Sequence, residues 1–411
     1  MRTAALPLAA VAAALCTATA VARRPVREYT INLDLPPERR WDLIIQGSEA
    51  GGTRFNDTVW KFYNEYFAKD AVVRDALFEL TDLRGKEVPE LQGEIEGLAH
   101  ASGLPVKFVQ GIQALYELQT LQVPVVNLTQ FGQTMEQLPM PKGWEVLSRI
   151  PWRGPGCTGI IATTADGTVS HARNLDFSPV PIMTKLVFTG IFTKGGKELF
   201  RSQMVAGYGS LITGMKMGPN GFAIERNTRY PDHKDGNEEM FKNLLGGRPL
   251  NGWSLRKIME TQPDYDSAIQ AIAAVPYVST EYAIVSGVKK GVILAKDPDR
   301  VAHVQTIGQT NWGQRDDYII ITNFDFFFHD IRENFDPTGG CLPLNPLDPT
   351  CHNRRVSAQM RLNATRFGTL TSEELFETID GKHTLADTIF QAIINVEKNL
   401  WNVSQPDKIA P

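Results

Sequence analysis

The residues best suited to chemistry in this sequence are a cysteine, an arginine and an aspartate that lie close together along the chain. Arg173 and Asp176 follow Cys157 by 16 and 19 residues. A neighbouring arginine favours the thiolate form of a cysteine, and an aspartate can hold an ammonium group. If Cys157 became the first residue of a chain, its α-amine would titrate close to working pH and could act as a base. The three residues therefore suggest catalysis by a thiol, although an arginine and an aspartate on one strand more often form a surface ion pair.

A predicted β-hairpin positions these three residues. Residues 158–164 and 168–176 have the composition of two strands, and Asp166-Gly167 between them is a turn signal. In such a hairpin the end of the second strand lies beside the start of the first. We therefore expect Arg173 and Asp176 to lie next to Cys157.

The start of the chain predicts a secretory signal peptide over residues 1–22. Met1-Arg2 is followed by an apolar stretch over 4–14 and by small-x-small cleavage sites that end at Ala20 and Ala22. The alternative is an uncleaved anchor. No later stretch reaches the ~18 uninterrupted apolar residues of a membrane helix. We therefore expect a soluble mature protein in the lysosome or outside the cell.

Glycosylation signals and cysteine usage fit an oxidising compartment. Cys16 leaves with the signal peptide, and we expect Cys341 and Cys351 to pair because they share a loop rich in proline and glycine. Cys157 is then unpaired, and it is either a nucleophile or a buried inert thiol, which composition alone favours. Four Asn-X-Ser/Thr tripeptides are candidate glycosylation sites and begin at Asn56, Asn127, Asn363 and Asn402.

The remaining elements divide the chain into a mostly helical first part and a mixed second part. After a strand at 29–35, apolar spacing predicts helices over 57–83, 87–100 and 105–121. Residues 122–156, rich in proline, glutamine and glycine, are typical of a linker or an exposed loop. Beyond the hairpin we predict strands over 185–193, 198–202, 282–286, 291–296 and 318–323, and helices over 254–262, 265–274, 372–379 and 386–399. This order indicates an α+β fold, an antiparallel sheet with helices packed on its faces.

Composition and missing motifs exclude several classes of protein. The 411 residues are 42% hydrophobic and 21% charged, which rules out a disordered, collagen-like or coiled-coil chain. A net charge of −4 leaves no basic surplus for nucleic acid. The sequence has no Gly-x-Ser-x-Gly elbow, His-Glu-x-x-His motif, phosphate loop or Cys-x-x-Cys pair, and its seven histidines are scattered. We therefore predict no metal site and no organic cofactor.

The segment Cys157-Thr158-Gly159-Ile160, followed by residues 171–177, resembles the nucleophile hairpin of the acid ceramidase and N-acylethanolamine acid amidase family. The resemblance continues along nearly the whole predicted mature chain. Its further motifs stand in family order: residues 29–37 with Arg40-Trp41, Tyr116-Glu117-Leu118, Ala206-Gly207-Tyr208, residues 211–214, Thr322-Asn323-Phe324-Asp325 and Arg354-Arg355.

The resemblance implies an N-terminal-nucleophile hydrolase with an αββα sandwich of antiparallel sheets. Such proenzymes cut themselves before the cysteine, here between Gly156 and Cys157. The products would be a small, mostly helical chain over 23–156, ending in an inserted loop at about 122–156, and a catalytic chain over 157–411. The implied roles of single residues are as follows: Cys157 as nucleophile and, through its α-amine, as base; Asp176 as holder of the amine; Arg173 as the group that positions thiol and substrate carbonyl; Asn323 as oxyanion donor; and Arg354 as the residue that orders the cluster.

The implied activity is hydrolysis of an N-acyl lipid through a Cys157 thioester, with ceramide preferred to N-acylethanolamine. The alternatives are a bile-salt or penicillin-type acylase and an inactive lipid-binding homologue that never cuts. The implied partners are the lipid, the two cleaved chains as a heterodimer, and a transient contact with a membrane surface or a lipid-presenting protein. Trp60, Phe62 and Phe67 would serve that contact or, as we favour, pack in the core. Candidates for an acyl channel are Phe177, Met183, Leu211, Met215, Phe324 and Phe326.

Three features depart from the family pattern. About 35 residues separate the Tyr-Glu-Leu segment from Cys157. Thr228-Arg229 stands where relatives carry an acidic residue before an arginine, so a role for Glu225 stays open. The first chain has no cysteine after Cys16, so packing alone would hold the two products unless other contacts replace a disulfide. In an acidic compartment the α-amine would also need a depressed pKa or a thiolate–ammonium pair.

Overall fold

Two β-sheets stacked face to face, with helices on the outer side of each, form the framework of the molecule. The structure, a computed structural model, describes residues 23–120, 142–146, 156–230, 236–309, 315–325, 354–380 and 387–406. The predicted signal peptide, Asn127, Phe326, most of the loop over 122–156 and the predicted pair Cys341 and Cys351 lie outside the described residues.

The first sheet has six strands and the second has eight. Neighbouring strands are antiparallel throughout, except that β2 runs parallel to β5. In spatial order the first sheet contains β1 Arg23–Pro25, β14 Leu400–Pro406, β13 Thr388–Asn395, β4 Val169–Asp176, β3 Gly156–Thr163 and β12 Tyr318–Ile321. The second contains β11 Arg300–Thr306, β10 Lys290–Asp297, β9 Glu281–Gly287, β8 Phe222–Thr228, β7 Tyr208–Lys216, β6 Lys197–Val205, β5 Val187–Lys194 and β2 Glu28–Asn32.

Alternation of side chains along the strands separates the layers of the core. On β3, Ile160 and Ala162 pack on the outer side among helix residues, whereas Ile161 packs between the sheets against Ile284. Helices α11 Arg354–Ala364 and α12 Ser372–Ile379 cover the six-stranded sheet, and α9 Asn251–Thr261 and α10 Tyr265–Ala274 cover the other. The predicted α+β class and αββα layering are confirmed.

The first part of the chain is mostly helical, as the apolar spacing predicts. Asp70 caps one of its two longest helices, Ala71–Arg84, by accepting from the backbone N–H groups of Val72 and Val73. No helix in the described ranges is long and apolar enough to cross a membrane. These helices are α1 Asp42–Ile45, α2 Phe55–Tyr63, α3 Ala71–Arg84, α4 Pro89–Ser102, α5 Val106–Gln113 and α6 Leu115–Thr120, and the second part adds α7 Val180–Met183 and α8 Gly236–Leu245.

This first part joins the second by more than apolar packing. β1 adds to the edge of one sheet beside β14, and β2 adds to the edge of the other beside β5. The buried carboxylate of Glu94 accepts from Arg40 at 2.9 Å and from Arg256 at 2.6 and 2.7 Å. Backbone pairing and a buried ion pair therefore link the two parts of the chain where a disulfide would otherwise do so. Phe62 and Phe67 are buried, as the core interpretation requires.

The helix predicted over 386–399 is wrong in the described part of the chain. Residues Thr388–Asn395 form β13, which lies between β4 and β14. All eight of its residues are buried, because sheet neighbours and packed layers enclose the strand on every side. A strand buried on both faces need not alternate between apolar and polar residues. The polar residues of β13, Thr388, Gln391 and Asn395, are three and four positions apart, which is the spacing of a helix.

Candidate active site

Cys157 is the second residue of β3 and has no exposed surface. The β3–β4 register pairs it with Leu175, pairs Gly156 with Asp176 and pairs Gly159 with Arg173. The predicted hairpin is therefore present, and the end of β4 lies beside the start of β3. Cys157 is a free thiol in the described residues.

Arg173 and Asp176 lie on opposite faces of this hairpin, because residues three apart on a strand point in opposite directions. Arg173 points between the sheets, on the side of the Cys157 thiol, and Asp176 points toward α11. We call the side-chain set around the sulfur the thiol face: Tyr116, His171, Arg173 and Glu225. We call the set around the backbone atoms of Cys157 the backbone face: Asp176, Asn323, Arg354 and Thr388.

On the thiol face, an arginine and a tyrosine contact the sulfur. Arg173 Nη2 lies 3.7 Å from Cys157 Sγ, and the Tyr116 hydroxyl of α6 lies 3.4 Å from it. Burial raises the pKa of the Cys157 thiol above its ordinary value, against the lowering effects of the Arg173 charge and the Tyr116 hydrogen bond. Burial also raises the pKa of Tyr116, so this hydroxyl stays protonated. It lies 3.3 Å from the Arg226 carbonyl oxygen as well, so its hydrogen can be donated to that oxygen or to the sulfur.

Glu225 is a member of the thiol face that the sequence did not identify. Its Oε1 lies 3.2 Å from Arg173 Nη1, and its Oε2 lies 2.7 Å from His171 Nε2. All three side chains are fully buried. In the sequence Glu225 directly precedes Arg226, so an acidic residue before an arginine does occur in this segment, three residues before Thr228.

The backbone face is organised by Arg354, at the start of α11. Its Nη1 donates to the Cys157 carbonyl oxygen at 2.6 Å and to Asp176 Oδ2 at 3.3 Å, and its Nη2 donates to Asn323 Oδ1 at 2.6 Å. Asp176 Oδ1 also accepts from the Thr388 hydroxyl at 2.5 Å. The Arg354 guanidinium thus links two other sequence-predicted residues, Asp176 and Asn323, to the main chain of the nucleophile.

Asn323 follows β12 and contacts the nitrogen of Cys157. Its Oδ1 accepts from the Cys157 backbone N–H at 3.0 Å, and its Nδ2 donates to the Thr228 carbonyl at 2.8 Å. In the uncut chain the amide therefore presents an acceptor to the nucleophile's nitrogen, while its donor is engaged elsewhere. The structure brings all five sequence-predicted catalytic residues together around Cys157.

Behind the thiol face lies a buried cluster in which two carboxylates share one arginine. Arg226 donates to Glu117 of α6 at 2.9 Å and to Glu281 of β9 at 2.8 Å, and to the Tyr208 hydroxyl at 3.1 Å. Burial raises the pKa of Glu281 to about 7, with the neighbouring Glu117 charge acting in the same direction. The Arg226 carbonyl in turn accepts from Arg173 at 2.9 Å, so this cluster supports the residue that contacts the sulfur.

An apolar cavity with about 430 Å³ of empty space opens next to the thiol face. Tyr116 lines the cavity and also contacts Cys157 Sγ, so this one side chain lies between the cavity and the sulfur. Phe177 and Met183, from the candidate channel residues, line it as well. Of the others, Leu211 lies in the main core, Met215 in a separate core cluster and Phe324 against Tyr230. The remaining lining residues are Val59, Phe62, Ile112, Leu115, Leu186, Val205, Ala206, Gly207, Tyr208 and Ile212.

Three of the four candidate glycosylation sites lie among the described residues. Asn363 on α11 and Asn402 on β14 are exposed, whereas Asn56 on α2 is half-buried. A search of the described residues finds no group of three His, Cys, Asp or Glu side chains arranged to hold a metal ion.

Comparison with known proteins agrees with the resemblance drawn from the motifs. The chain is 25% identical over 307 residues to an N-acylethanolamine-hydrolyzing acid amidase of Caenorhabditis elegans, covering 74% of this chain and 75% of that protein. It is 22% identical over 396 residues to an acid ceramidase of Pan troglodytes, covering 92% and 85%. An amidase of the first kind from Rattus norvegicus is 25% identical over 379 residues, covering 89% and 85%.

A solved structure, that of a Caenorhabditis elegans N-acylethanolamine-hydrolyzing acid amidase ortholog, aligns with a TM-score of 0.46 at 23% identity. It covers 58% of this chain and 92% of that one. No protein-family model matches the chain. The similarity to acid ceramidases and N-acylethanolamine-hydrolyzing acid amidases thus extends over most of the length of this chain and of the relatives.

Proposed function

We propose that this protein is an amidase that hydrolyses the amide bond of N-acyl lipids, ceramide before N-acylethanolamine, with Cys157 as the nucleophile. The observation that carries the proposal is a buried thiol between Arg173 and Tyr116, of which Tyr116 also lines an apolar cavity. The names of the relatives, acid ceramidase and N-acylethanolamine-hydrolyzing acid amidase, give the class of substrate.

The first step of the proposed mechanism is self-cleavage between Gly156 and Cys157. The thiol attacks the Gly156 carbonyl carbon, the Cys157 nitrogen leaves and takes up a proton, and a thioester forms. Water then hydrolyses the thioester, which leaves a carboxyl group on Gly156 and a free α-amine on Cys157. The contacts of Arg354 with the Cys157 oxygen and of Asn323 with its nitrogen support this step, because they fix both sides of the nucleophile's main chain.

In turnover the thiol attacks the amide carbon of the lipid, the amine product leaves, and water hydrolyses the acyl-enzyme. The α-amine of Cys157 is the base, and Asn323 Oδ1, already an acceptor for this nitrogen, orients it. Asp176, beside Arg354, balances the ammonium charge. For Asn323 to stabilise the oxyanion as well, its Nδ2 must give up the hydrogen bond to Thr228.

The acyl chain lies in the apolar cavity in this proposal. Residues of the small chain, such as Phe62 and Ile112, and of the catalytic chain, such as Phe177 and Met183, line it together. The two products therefore stay associated as a heterodimer, held by the β1–β14 and β2–β5 pairs. A transient contact with a membrane surface or a lipid-presenting protein delivers the lipid.

The proposal also includes the processing that the sequence predicts. The signal peptide over residues 1–22 is removed, and the protein works in the lysosome or outside the cell at acidic pH, as the word acid in the relatives' names suggests. The four asparagines predicted above carry glycans, and Cys341 pairs with Cys351. None of these modifications takes part in the chemistry.

The test is intact mass and N-terminal sequencing of the purified protein after incubation at acidic pH, with Cys157→Ala alongside. We expect a wild-type fragment that starts at Cys157, whole Cys157→Ala protein, and fatty acid release from ceramide or N-acylethanolamine by the cut wild type only. Release from ceramide at the higher kcat/KM identifies the preferred substrate. A wild type that remains whole at every pH and releases no fatty acid, yet binds the lipid, would overturn the proposal in favour of a lipid-binding homologue.

A further inference from the structure

His171 is a fully buried, titratable side chain that neither step of the proposed mechanism uses. It lies on β4 two residues before Arg173, so the two side chains point to the same face of the sheet, between the sheets. Burying an imidazole is costly unless both ring nitrogens find partners. The partners of this ring therefore indicate what it does.

Both ring nitrogens of His171 have hydrogen-bond partners on the opposite sheet. Nε2 lies 2.7 Å from Glu225 Oε2 of β8, and Nδ1 lies 3.1 Å from the Ser286 hydroxyl of β9. An ionised carboxylate only accepts, so the Nε2 atom carries the hydrogen. A serine hydroxyl both donates and accepts, so Nδ1 is satisfied whether or not it is protonated.

Through Glu225, His171 is connected to the nucleophile. Glu225 Oε1 lies 3.2 Å from Arg173 Nη1, and Arg173 Nη2 lies 3.7 Å from Cys157 Sγ. The carboxylate occupies a space that only a glycine leaves open, because a Cβ on Gly159 would lie 2.7 Å from Glu225 Oε1. Four buried groups therefore form a continuous series from the imidazole to the sulfur.

The series has a definite electrostatic sense. The Glu225 charge raises the pKa of the Cys157 thiol, and the Arg173 charge lowers it. When the Glu225 carboxylate also accepts a hydrogen bond from His171, it attracts the Arg173 guanidinium less strongly and competes less with the Cys157 thiolate for it. In the described residues the charged groups of the series are Glu225 of β8 and Arg173 of β4, with Ser286 of β9 as the polar neighbour. Outside the series, Tyr116 of α6 lowers the thiol pKa and Asp176 of β4 raises it. A donor at position 171 therefore leaves Arg173 freer to stabilise the thiolate.

We propose that His171 is a positioning residue of the amidase: it holds the Glu225 carboxylate and thereby sets how strongly Arg173 stabilises the Cys157 thiolate. This inference rests on the proposed role of Cys157 as the nucleophile. It assigns His171 no contact with the substrate.

The experiment measures the rate at which methyl methanethiosulfonate modifies Cys157 across a pH series, read at the Cys157 peptide by mass spectrometry. The variants are His171→Leu, His171→Gln and Gly159→Ala, with His303→Leu as the control for loss of a histidine elsewhere. We expect His171→Leu to slow modification about tenfold at a fixed pH below the thiol pKa, which corresponds to a rise of one unit in the thiol pKa. His171→Gln keeps a donor to Glu225 and restores most of the rate.

A double-mutant cycle separates this role from a purely structural one. In a Glu225→Gln background, His171→Leu should have little further effect on the pH profile or on kcat, since the carboxylate through which it acts is gone. Gly159→Ala displaces the same carboxylate from its other side and should also move the profile, so a His171 variant that fails to fold does not end the test.

Two outcomes overturn the proposal. One is a pH profile that His171→Leu leaves in place or shifts equally with and without the Glu225 carboxylate. The other is a wild-type Cys157 that no pH makes reactive, because no thiolate then needs positioning. A wild type whose thiol profile depends on His171 but which releases no fatty acid refutes the proposed amidase activity and leaves the electrostatic series intact.

Discussion

The two faces of the β3–β4 hairpin treat Cys157 in different ways. The thiol face surrounds the sulfur with titratable side chains from both sheets and from α6, and these set its charge. The backbone face holds the carbonyl oxygen and the nitrogen of the same residue through Arg354 and Asn323. One face therefore governs the reactivity of the thiol, and the other governs the geometry of the bond that the proposal has it cut.

The faces also differ in which part of the chain supplies them. All four members of the backbone face lie after Cys157 in the sequence. The thiol face includes Tyr116, which belongs to the predicted small chain, and its supporting arginine, Arg226, is held by Glu117 of the same helix. Loss of the small chain should therefore damage the thiol face first, while the grip on the Cys157 backbone remains.

The largest effect that separates the faces is expected from Arg354→Gln. The change removes the hydrogen bonds to the Cys157 oxygen and to Asn323, and it leaves the buried Asp176 without its cation. Breaking a buried ion pair typically costs about 3–5 kcal/mol of stability. We expect mass spectra to show only the uncut chain, and we expect the protein to unfold at a lower denaturant concentration than the wild type.

Arg355→Lys is the matched control for this variant, since Arg355 is the next residue on α11 and bonds to Gln359 on the same helix. It should cleave itself at the wild-type rate. Because the Asp176 charge also raises the thiol pKa and Arg354 pairs with Asp176, the pH profile of thiol modification should move only slightly, to higher pH, in Arg354→Gln protein that remains folded. A shift as large as that expected for His171→Leu would mean that the backbone face controls the charge of the thiol as strongly as the thiol face does.

An effect of intermediate size is expected on the pH dependence of stability, and it comes from the Arg226 cluster that supports the thiol face. Glu281 has a pKa of about 7 against an ordinary value of 4.5, mainly because it is buried. Because the pKa of Glu281 is higher in the folded protein than in the unfolded chain, its protonation stabilises the fold. This contribution is fully present below the pKa of the unfolded chain and is lost as the pH rises through about 7. The difference corresponds to about 3 kcal/mol. Wild-type stability should therefore decrease between about pH 4.5 and 7.5, and Glu281→Gln should flatten this dependence.

Glu117→Gln is the informative partner of that variant. The Glu117 charge helps to raise the pKa of Glu281. Its removal should therefore lower that pKa, so that the pH-dependent loss of stability becomes smaller and is complete at a lower pH. Denaturant unfolding at several pH values measures both. A slope that persists unchanged in Glu281→Gln would assign the pH dependence to another group.

How much of this the sequence predicts follows from the range of the interactions. The hairpin depends on neighbouring residues, and its register is the predicted one. The sequence also contains the information that Arg173 and Asp176 point to opposite faces, since they are an odd number of residues apart on one strand. The prediction considered only that both lie next to Cys157 along the hairpin. The meeting of Glu225 with His171 depends on the stacking of two sheets, and β8, which carries Glu225, was not predicted as a strand. Tertiary placement of that kind leaves no local pattern.

The same limit explains the error at β13. Its residues are buried on both sides because β4 and β14 flank it, and that enclosure is a property of the whole fold. The spacing of polar and apolar residues within the segment, taken alone, predicts a helix. By contrast, α10 and α12 have Asp264 and Thr371 as capping residues and were predicted with the right ends.

The smallest and sharpest test of the comparison is Tyr116→Phe. It removes one hydroxyl, 3.4 Å from Cys157 Sγ, and leaves the ring that stacks on Phe177 and lines the cavity. A single hydrogen bond contributes about 1 kcal/mol, and somewhat more when one partner is charged. Because the bond lowers the thiol pKa, its loss should raise that pKa and slow thiol modification about fivefold at a fixed pH, with stability nearly unchanged. Tyr318→Phe, which loses a hydroxyl bonded to Asn363 on the outer side of the same sheet, is the control and should leave the profile in place. An equal slowing in both variants would refute a specific contact between Tyr116 and the sulfur, and with it the claim that the small chain helps to set the charge of the nucleophile.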